Sequence, residues 1–193
     1  MPMRKSFLLT AALFVLSLFF ASRSECSSAD PYIEDLMLKQ GEEYVLVSAH
    51  LVMEFDDEMR QAIRGGVPLK FRYRTRLTRK GSILGERIVR NRELVHGLEY
   101  DTVRQLYLFT AEGYGSERLE RTTRDEGEAL RWLTTIDEYR LYPLGKLERS
   151  KVYRVRIMAT LRSVELPSVL GYLFFFTTIF NRETPWVQIE FTY

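Results

Sequence analysis

The chain has 193 residues, with 28 Lys and Arg against 26 Asp and Glu, a formal net charge of +2, two histidines and one cysteine. So small a net charge gives no support to nucleic-acid binding, and a single cysteine rules out an intrachain disulfide. With two histidines and one cysteine, no Cys/His zinc pattern can be assembled from the sequence.

In chain order, Arg4 and Lys5 precede an uncharged, largely apolar run over residues 7–21, and small and polar residues follow as far as Asp30. A basic n-region, an apolar h-region and a small-residue cleavage zone make a secretory leader. The run falls short of the roughly 20 residues that cross a bilayer as a helix. Ser27 and Ala29 suit a cut before Asp30, and Ser22 and Ser24 suit one before Glu25. The first is preferred. Arg23 and Glu25 stand where a lipoprotein signal before Cys26 would need an aliphatic and a small residue. Taking Arg4, Lys5, Arg23 and Glu25 away with the leader leaves 25 basic and 25 acidic residues from the 28 and 26. The expected compartment is the periplasm, with an inner-membrane anchor as the alternative if the leader is retained.

Residues 30–43 carry no clear periodicity and are expected to be a flexible segment. A single α+β domain over 44–193 then follows, without linker or repeat. Residues 44–55, rich in Val, Leu and His, predict a strand. Residues 56–64 predict a short helix capped by Asp56 or Asp57 and ended by Gly65-Gly66. After Pro68, Phe71, Tyr73, Thr75 and Leu77 alternate with Lys70, Arg72, Arg74 and Arg76, the signature of a strand with one wet face. A hairpin loop at 81–85 leads into a strand over 86–99. A turn at 100–104 leads into another over 105–110, and Gly113-Tyr114-Gly115 turns the chain into a short strand at 117–122.

Thr123 or Asp125 predicts a helix N-cap, with the helix running through Ile136 and a loop marked by Pro143 and Gly145 after it. Residues 151–162 form a further strand, with Tyr153, Val155, Ile157, Ala159 and Leu161 on one face and Arg154 and Arg156 on the other. Residues 169–180 hold no charge and include Leu173-Phe174-Phe175-Phe176, too short a run to span a membrane. The alternation of 186–193 predicts a last strand. It also resembles an outer-membrane barrel strand, but an internal helix does not belong in so small a barrel. The sum is a largely antiparallel sheet of about seven strands with two or three helices.

Arg72, Arg74, Arg76, Arg154 and Arg156 are the one candidate site. If their strands are neighbours, five guanidinium groups form a strip able to hold phosphate or carboxylate groups bidentately. The competing expectation is cross-strand pairing with Glu86, Glu93, Glu99, Glu117 or Glu120. No catalytic, cofactor or metal residues are assigned. His50 and His96 lack ligand companions, and Ser48-Ala49-His50 has no nucleophile elbow. Asp56-Asp57-Glu58 reads as helix capping.

Several segments together resemble a known family. These are Tyr44–Val52, Gly66-Val67-Pro68-Leu69, Leu98-Glu99-Tyr100-Asp101, Glu128-Ala129-Leu130, Leu166-Pro167 and the tryptophan-bearing end. The chain is similar over residues 40–193 to exported bacterial proteins known only as domain-of-unknown-function family 4390. That resemblance implies a Gram-negative envelope protein and brings no activity or catalytic residues with it. The expected function is a non-enzymatic periplasmic module that binds an envelope protein or lipid. The alternative is a membrane-peripheral module using residues 170–180 or the arginine face, and an enzyme comes third.

Overall fold

The computed structural model describes residues 30–81, 85–163 and 182–193. Among these, the elements in order are β1 (Tyr32–Gln40), β2 (Tyr44–Val52), α1 (Asp57–Arg64), β3 (Leu69–Lys80), β4 (Glu86–Asp101), β5 (Leu106–Glu112) and β6 (Leu119–Thr123). They continue with α2 (Glu126–Thr134), β7 (Thr135–Pro143), a 3-10 turn at Leu144–Lys146, β8 (Val152–Ser163), β9 (Arg182–Glu183) and β10 (Val187–Thr192).

The alternation after Pro68 decides the architecture. Phe71, Tyr73, Thr75 and Leu77 are buried, while Lys70 and Arg72 are exposed and Arg74 and Arg76 half-buried. β3 therefore lies mid-sheet with one apolar face, between β4 and β8, in a seven-stranded antiparallel sheet of order β10-β8-β3-β4-β5-β6 with β9 also on β8. The register sets Phe71 between His96 and Leu161, and Tyr73 between Leu94 and Ala159. Burying side chains of this size stabilises the fold by about 1.5–3 kcal/mol each. The hairpin loop closes through Gly81 N donating to Gly85 O at 2.9 Å.

A second sheet, β1-β2-β7, lies over that apolar face. β2 supplies Val45, Val47, Ala49 and Leu51, and β7 supplies Ile136, Tyr139 and Leu141, to the same core cluster as the large sheet. The helices complete the cover, α1 through Met59, Ala62 and Ile63 and α2 through Ala129, Leu130 and Leu133. Their starts follow the capping chemistry: Asp56 Oδ1 accepts from Met59 N at 2.8 Å and Asp125 Oδ1 from Glu128 N at 2.7 Å. The protein is thus a single largely antiparallel α+β domain.

The structure corrects two expectations. Residues 30–43 are not a flexible segment, because β1 occupies most of it. Its only buried residue is Ile33, and a bulge at Asp35 (φ 51°) shifts the register between Glu34 and Met37, so no alternation survives to be read. The second helix does not reach Ile136. It stops at Thr134, and β7 fills the stretch up to the turn that Pro143 and Gly145 mark, with a bulge of its own that carries Glu138 at φ 42°. The large sheet has the seven strands expected, and β1, β2 and β7 form a second one beside it. The segment 169–180 lies outside the described residues.

Both bulges flank Ser48. The register jumps from Glu34–His50 to Met37–Ser48 on one side, and from Ala49–Ile136 to Val47–Tyr139 on the other. Ser48 Oγ accepts from Glu138 N at 3.0 Å, and His50 Nδ1 lies 3.2 Å from Thr135 Oγ1. The Ser48–His50 pair serves strand geometry and forms no nucleophile–base contact.

Candidate functional site

His96 faces inward from β4 and is almost wholly buried. Its Nδ1 lies 3.0 Å from the Leu133 carbonyl, near the C-terminal end of α2, and a carbonyl only accepts, so Nδ1 carries the proton. The hydroxyl of the fully buried Tyr73 donates to the same carbonyl at 2.9 Å, which supplies a partner to an oxygen the helix leaves unpaired. Burial pushes the His96 pKa down to about 4, against the opposing hydrogen bond to Leu133, so the ring is neutral at physiological pH. Its Nε2 then accepts from the Tyr114 hydroxyl at 2.7 Å.

Tyr114 reaches this position because the chain leaves β5 through Gly113 at φ +91°. A Cβ there would stand 2.4 Å from the Glu93 carbonyl oxygen, so the turn takes glycine alone. Burial, with Tyr139 and Asp137 nearby, raises the Tyr114 pKa well above that of a free phenol, and Arg121 opposes the shift.

Beside this pair, between β6, α2 and the start of β7, lies an open concavity of about 330 Å³. Buried Phe109 and half-buried Tyr114 and Trp132 supply its apolar lining, and exposed Arg121, Arg131 and Asp137 supply its polar one. The Arg121 guanidinium carbon lies 5.7 Å from the centre of the Trp132 ring. Among the described residues, neither Arg121 nor Arg131 has a carboxylate within ion-pair distance.

The arginine strip is assembled as the strand alternation implies. β3 and β8 are neighbours, with Arg76 opposite Arg156, and all five arginines share the face turned away from the core. Acids interleave with them. Arg72 meets Glu93 at 3.2 Å, Arg74 meets Glu183 at 4.0 Å and Arg156 meets Glu86 at 3.3 Å. Arg154 is held by both Glu86 and Glu190. Arg76 has its guanidinium 5.3 Å from the Trp186 ring centre, and its buried Nε has no hydrogen-bond partner among the described residues. Glu86 and Glu93 belong to the acids expected on this face. Glu183 and Glu190 come from β9 and β10, whose placement beside β8 the sequence does not announce.

The model of one family, Domain of unknown function (DUF4390), matches residues 29–190. The chain belongs to that family. No curated protein and no solved structure matches it. The match takes in every described strand of this DUF4390 domain except the end of β10. Among the described residues, no three His, Cys, Asp or Glu side chains gather to hold a metal ion. No described helix is long and apolar enough to cross a membrane.

Sequence reasoning did not find the concavity. It gives His96 as a histidine without ligand companions and Gly113-Tyr114-Gly115 as a turn, and does not connect the two. What joins them is the β5–β6 hairpin folding back over α2, a contact between distant residues that leaves no local pattern.

Proposed function

We propose that this DUF4390 domain is a non-enzymatic binding module of the bacterial cell envelope, and that a partner seats in the concavity beside α2. The observation that carries the reading is the pairing of an aromatic lining with Arg121 and Arg131, which lack acid partners among the described residues. Guanidinium groups beside an indole offer bidentate hydrogen bonds and a stacking surface in one place, and apolar walls with a few convergent polar groups are what ligand sites present. His96 fits a supporting role for the wall of the site, since it is almost wholly buried and its two nitrogens are held by Leu133 and Tyr114. The envelope address is supported by the leader pattern of residues 1–29 and by the family resemblance. The membrane-peripheral alternative draws less support, because acids interleave with the arginines of the large sheet.

A photo-crosslinking residue at position 131, compared with one at exposed Lys146, tests the site in intact cells. A discrete adduct from 131 alone is expected. Equal labelling from both positions, or none from 131, refutes it. Release of the protein by osmotic shock, with sequencing of its N-terminus, tests the address.

A further inference from the structure

We infer that β6 is a docking edge for an extended, acidic segment of a partner protein, which adds as a further strand and lays alternate side chains over the concavity. The inference rests on the binding reading above and names the chemistry of the partner. Among the described residues, β6 is the last strand of the large sheet and pairs with β5 alone. Along its outer side alternate N–H and C=O groups face away from β5, as on any edge strand. Leu119, Glu120, Arg121 and Thr122 are all exposed, so no described residue covers the strand.

The side-chain alternation of β6 selects what fits. Arg121 stands opposite the buried Phe109, and Leu119 opposite the buried Ala111, so both look to the side of the sheet where the concavity opens. A strand added to β6 would set its own side chains about 5 Å from these, one beside Leu119 and one beside Arg121. The residue beside Leu119, which is 42% exposed, has an apolar neighbour to cover. The one beside Arg121 meets a guanidinium with no acid partner among the described residues, and Arg131 across the concavity adds a second. Among the described residues, Asp137 is the only carboxylate in the lining. On the opposite side of the strand Arg118 is already engaged by Glu112 and Glu120, at 3.7 and 3.3 Å, so the uncompensated charge points only toward the concavity. Charge on a short edge strand also keeps it from pairing with its own copies. A partner must therefore bring the opposite charge, and main-chain hydrogen bonds then give affinity while alternate side chains give specificity.

The test uses the purified protein and a blocked peptide about six residues long, the length β6 can pair, with Val and Glu two apart on one face and Thr between them. The controls are a Val/Lys peptide and the Val/Glu peptide N-methylated at alternate residues in each of the two frames. The readouts are backbone amide shifts and the Trp132 indole resonance. The acidic peptide should shift Leu119–Thr123 and Trp132, and should bind at least about tenfold more tightly than the Lys peptide at low salt. Methylation in one frame should abolish binding. The double variant Arg121→Glu/Arg131→Glu should reverse the order of the two peptides. An acidic peptide that leaves β6 unshifted overturns the inference. So does equal binding by the parent and both methylated peptides, which would mean an ionic contact without strand addition. Crosslinking from position 131 would still capture a partner in either case, so strand addition can fail while the binding reading stands.

Discussion

His96 ties the stability of this domain to pH through one buried ring. Folded, it stays neutral until about pH 4. Unfolded, it takes a proton near pH 6.5. Between those values the unfolded chain binds more protons, so stability is full above about pH 6.5 and falls as the pH drops toward 4. The loss totals about 3 kcal/mol. Urea unfolding of the protein from pH 7.5 to 5 should show this slope, and His96→Gln, whose amide can both donate and accept, should be less stable at pH 7 but lack it. Parallel profiles for the two proteins would refute the buried neutral ring. The neighbouring turn gives a second expectation. Gly113→Ala places a methyl against the Glu93 carbonyl at a left-handed φ, and should cost about 2 kcal/mol or more in denaturant unfolding. A loss below about 0.5 kcal/mol would show that the turn relaxes freely.

Among the elements, the helices are joined to each other and to β5 by one carboxylate. Glu126, in the first turn of α2, accepts from Arg60 and Arg64 of α1 and from the Tyr107 hydroxyl of β5, the last at 2.9 Å. Burial works against its ionisation, but hydrogen bonds from Arg64, Arg60 and Tyr107 outweigh that and hold its pKa below the usual carboxylate range. Its contribution is therefore present above about pH 4.3 and lost as the pH falls through the folded value, a limb separate from that of His96. Glu126→Gln should destabilise by about 1–3 kcal/mol at pH 7, since two arginines lose their only carboxylate partner among the described residues. An unchanged urea midpoint would mean that the clasp is surface decoration. How much of the fold can be read from the sequence also divides by element. β3 and β8 are legible because apolar side chains alternate with arginines along each, and the helices because Asp56 and Asp125 cap them. β1 and β7 are not, because the bulges at Asp35 and Glu138 break the period of two on which strand reading depends. The site is hidden for a related reason. His96, Tyr114, Arg121 and Trp132 meet only through hairpin and helix packing, whereas the arginine strip lies along two strands in plain alternation.

At the scale of the whole molecule, the distribution of charge matters more than its total. The outer face of the large sheet gathers Arg72, Arg74, Arg76, Arg154 and Arg156, and an anionic bilayer attracts basic residues by about 1 kcal/mol each when they stand uncompensated. Here they do not. Glu86 and Glu190 bracket Arg154, Glu86 also reaches Arg156, and Lys80 shares Glu190. Exposed pairs of this kind add little stability, but they cancel the field that would draw the face to a membrane. The protein should therefore show no salt-sensitive sedimentation with vesicles of phosphatidylglycerol and phosphatidylcholine. Glu86→Gln/Glu190→Gln leaves the arginines in place and removes the acids that mask them. That variant should bind the same vesicles at low ionic strength and come off at about 0.5 M salt, where the screening length falls to a few ångströms. Binding that resists salt would come from apolar contact and leave the face out of account. Salt-sensitive binding by the unaltered protein, lost in Arg72→Gln/Arg74→Gln/Arg76→Gln, would overturn the masking argument and make the strip itself the membrane contact.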